Sequence, residues 1–365
     1  MKILIVVTKS ELGGAQVFAL NLARGLKAAG EDVTIAGGPG EFLPAELLKS
    51  DIPFYRLQNL ERSYNPFKIF KFIGELKAYV TREKFTVVHL NSSNALFGVW
   101  GLAKLNPQPK IIFTVHGLSF LDPNHRANFA VNFAYRLFFK NAWKKVASLV
   151  FVSRLNYQSA KKNKLIKSGE IIYNGLDLPT DYFLEKSEVR KFFAEKIGID
   201  LDKSYIYGSI GRLAYPKNYE FLINAQIELR KTRPQAKLII IGEGPERLKY
   251  EAMIKSYRLE KEIFLAGEIK EASRYLRAFD LFVLPSIFEG MSLSLIEASL
   301  SGIPVLASRV GGNEEIIGAE NCFTLNDQAD FLEKLNSVKP LENSDNLFQL
   351  EEMVTKYQNI YRRNF

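Results

Sequence analysis

The chain contains one cysteine, Cys322, so no disulfide can form within it; this fits a reducing, cytoplasmic compartment and excludes a disulfide-built scaffold. Long apolar runs are also missing. The longest uncharged apolar stretch, near 95–103, falls well short of the ~20 residues needed to cross a bilayer. A spanning protein is therefore not expected, while one lying on a membrane surface is compatible. The opening MKILIVVTKS meets Thr8, Lys9 and Glu11 too soon for a signal peptide and reads as a first buried strand. With three histidines and no His/Cys cluster, no zinc site is expected. No G-x-S-x-G hydrolase elbow occurs, and no short-period repeat or low-complexity tract. Signatures of RRM, helix-turn-helix or zinc-finger modules are absent too, so nucleic acid is not an expected partner.

What is present describes a globular chain. Its 365 residues are 47% hydrophobic and 24% charged. At roughly 150 residues per domain, that length predicts two domains. The net charge of +9 is unevenly placed. Residues 1–175 hold 24 basic and 11 acidic side chains, and 176–365 hold 25 and 29, so the halves carry +13 and −4.

Short apolar runs alternate with longer helical patterns. KILIVV (2–7), DVTIAGG (32–38), FTVVHL (85–90), KIIFTVHG (110–117) and SLVFVS (148–153) form a first series. Continuous apolar runs are the mark of strands buried on both faces, and helices between them imply a parallel sheet. After a mixed stretch at 174–203, a second series follows: SYIYGSIG (204–211), AKLIIIGEG (236–244), EIFLAG (262–267), DLFVLPS (280–286) and IPVLAS (303–308). Two doubly wound α/β domains are predicted, with ligands at the carboxyl ends of the strands. Apolar residues at near-helical spacing over 347–361 predict a last helix that packs back across the first domain.

The most informative segment is Pro285-Ser286-Ile287-Phe288-Glu289-Gly290-Met291-Ser292-Leu293-Ser294-Leu295-Ile296-Glu297-Ala298. It leaves a buried strand, passes a glycine loop and opens a helix that Ser292 or Ser294 can cap. The free N–H groups of such a helix start form an anion site. Glu289 falls in the loop, and Glu297 one to two turns into the helix. Each carboxylate has two accepting oxygens, well suited to the paired hydroxyls of a sugar. Upstream, Gly211-Arg212 ends a predicted strand and Lys217 follows. Together the planar guanidinium and the ammonium are able to hold a diphosphate.

The segment from Glu289 to Glu297 resembles the E-x7-E signature of glycosyltransferase family 4, retaining nucleotide-sugar enzymes with the GT-B fold, two Rossmann-like domains facing across a cleft. The resemblance implies that Glu289 contacts the donor sugar and Glu297 the ribose, with backbone N–H groups of Gly290, Met291 and Ser292 near the phosphates. Gly211-Arg212 with Lys217-Asn218 resembles the family's GR-x5-6-K element, which holds the diphosphate. Gly13-Gly14 after the first strand resembles its N-terminal glycine loop, which approaches the donor; it is not G-x-G-x-x-G, so no dinucleotide cofactor is indicated. His116 matches the family histidine that faces the donor sugar. His89 precedes a place where many relatives show H-x-H, and Asn91 stands there instead. Asn174-Gly175-Leu176-Asp177 and Val310-Gly311-Gly312 resemble the N-G-V-D and V-G-G elements, both expected to need glycine backbone angles. Asp200-Leu201-Asp202 has the D-x-D spacing of another glycosyltransferase fold, but it precedes a strand and reads as a solvated lead-in. No metal and no cofactor beyond the nucleotide-sugar substrate are expected.

Residues 65–74 and 136–145 interleave Phe, Trp and Leu with Lys and Arg, a composition that suits an anionic interface. The expectation is thus an acceptor-side domain over 1–175, with 347–365 packed on it, and a donor-binding domain over 176–346. Its reaction is retaining transfer of a sugar from a UDP- or GDP-linked donor to a glycan or glycolipid hydroxyl, with an anionic membrane surface as a further partner. The alternatives are a sugar-nucleotide epimerase and a non-catalytic, membrane-docked sugar-nucleotide-binding subunit.

Overall fold

A computed structural model describes residues 1–121, 129–341 and 348–363. The chain forms two compact units, Met1–Asp177 with Leu347–Phe365, and Leu178–Asn346. The crossover near Asn174 is therefore followed by the boundary at Asp177.

In the first unit the strands are β1 Lys2–Val7, β2 Asp32–Gly37, β3 Phe54–Arg56, β4 Val87–Leu90, β5 Lys110–Val115, β6 Ser148–Phe151 and β7 Glu170–Ile171. They form one sheet in the order β3-β2-β1-β4-β5-β6-β7, with every pairing parallel. In the second unit β8 Tyr205–Ile210, β9 Ala236–Ile241, β10 Ile263–Gly267, β11 Leu281–Leu284, β12 Val305–Ser308 and β13 Cys322–Phe323 pair in the order β10-β9-β8-β11-β12-β13, again all parallel. Both units are doubly wound Rossmann-like sheets. The apolar runs read as strands are the central ones, with β10 at one edge of the second sheet: Ile3 to Val7 and Leu281 to Leu284 have no exposed surface. The short strands β3, β7 and β13 had no such run to reveal them.

Helices cover both faces of each sheet. The sheet of unit 1 carries one core with Leu4, Val88, Phe113 and Trp143, and another with Ile3, Ile5, Phe18 and Leu22. The second is completed by the helix Leu350–Arg362, whose Met353, Val354, Tyr357, Ile360 and Tyr361 are buried in it. Glu31 fixes both ends of the contact, accepting from the Met1 ammonium at 2.6 Å, Gln358 at 3.0 Å and Arg362 at 2.7 Å.

Candidate active site

Each sheet reverses its strand order between two neighbours, β1 and β4 in unit 1 and β8 and β11 in unit 2. Connections leaving such neighbours run to opposite faces, which opens a crevice at the carboxyl ends of the strands. The site residues read from the sequence emerge there. Gly13 and Gly14 follow β1, Asn91 follows β4 and His116 follows β5. In the second unit Gly211, Arg212 and Lys217 follow β8, and Glu289 to Ser292 follow β11.

In unit 2 the two loops meet. Lys217 Nζ donates to Glu289 Oε1 at 2.7 Å, and Ser286 Oγ donates to the same oxygen at 2.7 Å. The Lys217 and Glu289 side chains are only 20% and 14% exposed, so they form a shielded pair instead of two solvated charges. Glu289 Oε2 accepts no hydrogen bond among the described residues. The main chain ties the loops as well: Ile287 N–H donates to Pro216 O at 2.8 Å, and Asn218 Nδ2 donates to Pro285 O at 3.1 Å. Arg212 is exposed, and its guanidinium has no hydrogen-bond partner among the described residues.

Val310-Gly311-Gly312 shapes this loop from beneath. Gly311 has φ +55°, and a Cβ there would lie 2.0 Å from the carbonyl oxygen of Glu289, so both its conformation and its lack of a side chain are required. Gly312 N–H donates to Gly290 O at 2.8 Å. The other glycine element differs from expectation. Gly175 has no positive φ; its constraint is close approach, because a Cβ would lie 2.6 Å from Gln349 O, where the C-terminal helix begins.

The helix Leu293–Leu300 opens just past the loop. Ser292 is its cap, its Oγ accepting from Leu295 N–H at 3.4 Å, and Ser294 instead bonds Ser292 Oγ at 3.1 Å. No acidic residue occupies the first turn, so the helix start keeps its positive end. Glu297 lies just over one turn in and is half-buried. Burial raises its carboxyl to about 7, with a hydrogen bond from Ser273 working in the opposite direction. Ser273 Oγ in turn shares a hydrogen bond with Tyr182 OH at 2.7 Å. No local signal could have joined Tyr182, Ser273 and Glu297, which are far apart in sequence. Ser286 did carry one: it is the polar residue between a buried strand and Glu289.

In unit 1 the helix Gly14–Ala28 has Gly13 as its cap, without a capping side chain and without an acidic residue in its first turn. Nothing lies within 4 Å of a Cβ built on Gly14, so open space faces that position. His116 is held between Asn91, whose Oδ1 is 3.3 Å from Nε2, and Phe18, edge-on at 4.7 Å between ring centroids. Burial lowers the imidazole to about 4, so the ring is neutral at physiological pH. His89 belongs to the core. It is fully buried, with Nδ1 2.6 Å from Tyr361 OH and Nε2 2.7 Å from Thr114 Oγ1. Burial, and to a lesser degree His116, depress its imidazole to about 3.

Asp200 and Asp202 are exposed in a turn, where Asp200 Oδ1 accepts from the Asp202 N–H at 2.9 Å. Among the described residues, no group of three or more His, Cys, Asp and Glu side chains is placed to hold a metal ion. His125 lies outside the described residues.

Two family matches lie in tandem along the chain. Residues 12–179 match the family described as Glycosyltransferase Family 4, and residues 189–355 match Glycosyl transferases group 1. Among curated proteins, the chain is 27% identical over 310 residues to the Escherichia coli UDP-Gal:alpha-D-GlcNAc-diphosphoundecaprenol alpha-1,3-galactosyltransferase, covering 82% of this chain and 75% of that protein. It is 27% identical over 312 residues to the alpha-monoglucosyldiacylglycerol synthase of Acholeplasma laidlawii, covering 81% and 76%. Among solved structures, the sucrose-phosphate synthase of Thermosynechococcus elongatus superposes with a TM-score of 0.80 at 20% identity, over 99% of this chain and 98% of that one, which establishes the shared GT-B fold. With E-x7-E, the GR…K element and both glycine loops at the strand ends where such a site is built, the chain is a glycosyltransferase and belongs to glycosyltransferase family 4.

Proposed function

We propose that the protein is a retaining, metal-independent glycosyltransferase that moves a sugar from a UDP- or GDP-linked donor to a hydroxyl of a glycan or glycolipid, in the assembly of a cell-surface polysaccharide or glycolipid. The observation that carries this reading is the Lys217–Glu289 pair at the β8/β11 switch point, beside the open start of the helix Leu293–Leu300. The carboxylate holds the ammonium in place. An arriving diphosphate competes for Lys217 and meets the exposed guanidinium of Arg212, so two cations take up the charge of the leaving group where a metal would otherwise do so. The freed Glu289 carboxylate then accepts from donor-sugar hydroxyls, and Glu297 from the ribose. The bond from the anomeric carbon to the diphosphate breaks as the acceptor oxygen attacks the same face, and the acceptor proton passes to the departing diphosphate. The relatives favour a UDP donor and a lipid-borne acceptor: one is named for UDP-Gal and a diphosphoundecaprenol-linked acceptor, the other for a glucosyldiacylglycerol product.

Removing one such charge from a preorganised site costs on the order of 10²–10³ in turnover. Glu289→Gln and Lys217→Ala are therefore expected to reduce transfer of a radiolabelled sugar by at least that factor, with circular dichroism unchanged. Full activity in either variant would sink the site assignment. A binding screen of UDP-, GDP- and ADP-sugars identifies the donor.

An anionic membrane, at the cytoplasmic face, is the second part of the reading. Divided at the unit boundary, residues 1–177 with 347–365 hold 27 basic and 14 acidic residues, against 22 and 26 in 178–346. Phe67 and Phe70 are 78% and 73% exposed at the start of the helix Pro66–Glu83, beside exposed Lys68 and Lys71. The second basic-aromatic segment is more divided: Phe139 and Trp143 are core residues, leaving Leu137 exposed with Arg136, Lys140 and Lys144. Among the described residues no helix is long and apolar enough to cross a membrane.

A further inference from the structure

Asn91 occupies the second place of the H-x-H element, and its surroundings give it a different task from that of a second histidine. It is fully buried at the end of β4, and its main-chain N–H donates to Val6 O at 2.9 Å. Its side-chain Nδ2 donates to the carbonyl of His89 at 3.2 Å. A carbonyl only accepts, so the amide must turn its NH2 toward it; the opposite flip would set two oxygens against each other. That orientation directs Oδ1 at His116 Nε2, 3.3 Å away. An amide oxygen also only accepts, which requires the proton of the imidazole to sit on Nε2. Phe18, at 71° to the ring, restrains its plane from the side.

We propose that Asn91 is a positioning residue that locks His116 as the Nε2–H tautomer and leaves Nδ1 as the ring's sole acceptor. A neutral histidine has one donor and one acceptor, so fixing one decides the other. His116 then meets a hydroxyl as an acceptor instead of meeting an anion as a donor. The identity of that hydroxyl, on the donor sugar, rests on the function proposed above; the tautomer does not. No carboxylate or cation contacts the His116 ring among the described residues. The titratable neighbour is His89, which is engaged with Tyr361 and Thr114; Tyr357, which packs on Phe18 and His89, is bonded to Thr114 at 2.9 Å. Burial adds to the effect by keeping the ring neutral across the working range.

With three histidines in the chain, 15N spectra of the histidine-labelled full-length protein are assignable by comparison with His116→Gln. The expected wild-type spectrum has His116 protonated at Nε2 and bare at Nδ1 from pH 6 to 8. An Nδ1–H form, or an even mixture, overturns the proposal without any variant at position 91. Asn91→Asp supplies the second arm. A carboxylate in contact with the ring favours the imidazolium by about 1–3 pH units, so the His116 midpoint should rise by that amount. Transfer should then gain an acid limb in kcat at the new midpoint, because the imidazolium cannot accept. An unchanged midpoint in a folded Asn91→Asp protein also overturns the proposal. If the tautomer is as expected but His116→Gln transfers sugar at the wild-type rate, the donor-site role of His116 fails and the lock by Asn91 stands.

Discussion

At the scale of single residues, the two cations of the proposed donor site have opposite structural obligations. Arg212 is exposed and has no partner among the described residues, so Arg212→Ala should change stability by no more than about 0.5 kcal/mol while turnover falls. Lys217→Ala strips a shielded carboxylate of its ammonium and leaves it only Ser286 Oγ on that oxygen. It should lower Tm as well as activity, and thermal melts of the two variants side by side check the contrast. Glu297 gives a pH prediction. Burial pushes its folded carboxyl up to about 7, above the ordinary 4.5, so the native state holds the proton more tightly than the unfolded chain. The contribution is fully present below 4.5 and is lost as pH rises through 7. Glu297→Gln cannot titrate, so the Tm difference of variant minus wild type should grow between pH 5 and pH 8. Nucleotide affinity of the wild type should strengthen over the same window as the carboxylate ionises, and that of the variant should stay flat. These residues were legible because loop-and-helix chemistry is written in consecutive letters. Their partners Tyr182 and Ser273 were not, because only folding brings them to Glu297.

At the scale of elements, the central strands could be read from continuous apolar runs, since burial on both faces leaves no room for alternation. The short edge strands β3, β7 and β13, two or three residues each, are set by pairing with a neighbour and not by composition, whereas the five-residue edge strand β10 carries an apolar run of its own. The C-terminal helix shows the same division. Its spacing predicts a helix, but its seat depends on Gly25, where a Cβ would lie 2.3 Å from Val354 Cγ2. Alanine normally favours a helix interior by about 1 kcal/mol over glycine. Here overpacking against a β-branched side chain should reverse the sign, with a net destabilisation of about 1–3 kcal/mol for Gly25→Ala. Val354→Ala in the same background should recover part of that loss in urea unfolding, a coupling that two independent substitutions would lack.

At the scale of the whole molecule, the charge division survives the assignment of residues to units: the +13 belongs to the unit that includes 347–365 and the −4 to Leu178–Asn346. Anionic vesicles of phosphatidylglycerol should bind the protein at low salt and release it as ionic strength rises, since each Lys or Arg near the surface contributes about 1 kcal/mol before screening. Replacing Phe67 and Phe70 by Ser should weaken binding at every salt concentration without altering transfer to a soluble acceptor. Failure to bind at low salt would remove the membrane from the proposal and leave the transferase. The sequence by itself determined the two parallel α/β domains, the strand-end loops with Glu289, Lys217 and His116, and the split of charge, because apolar runs, loop chemistry and composition are local quantities. Only the tertiary structure decided that Lys217 and Glu289 hold each other, that Gly311 props the carbonyl of Glu289, that His89 is a core residue, and that Asn91 faces His116. Those are contacts between strand ends that the chain reaches through separate crossovers, and parallel pairing alone sets them side by side.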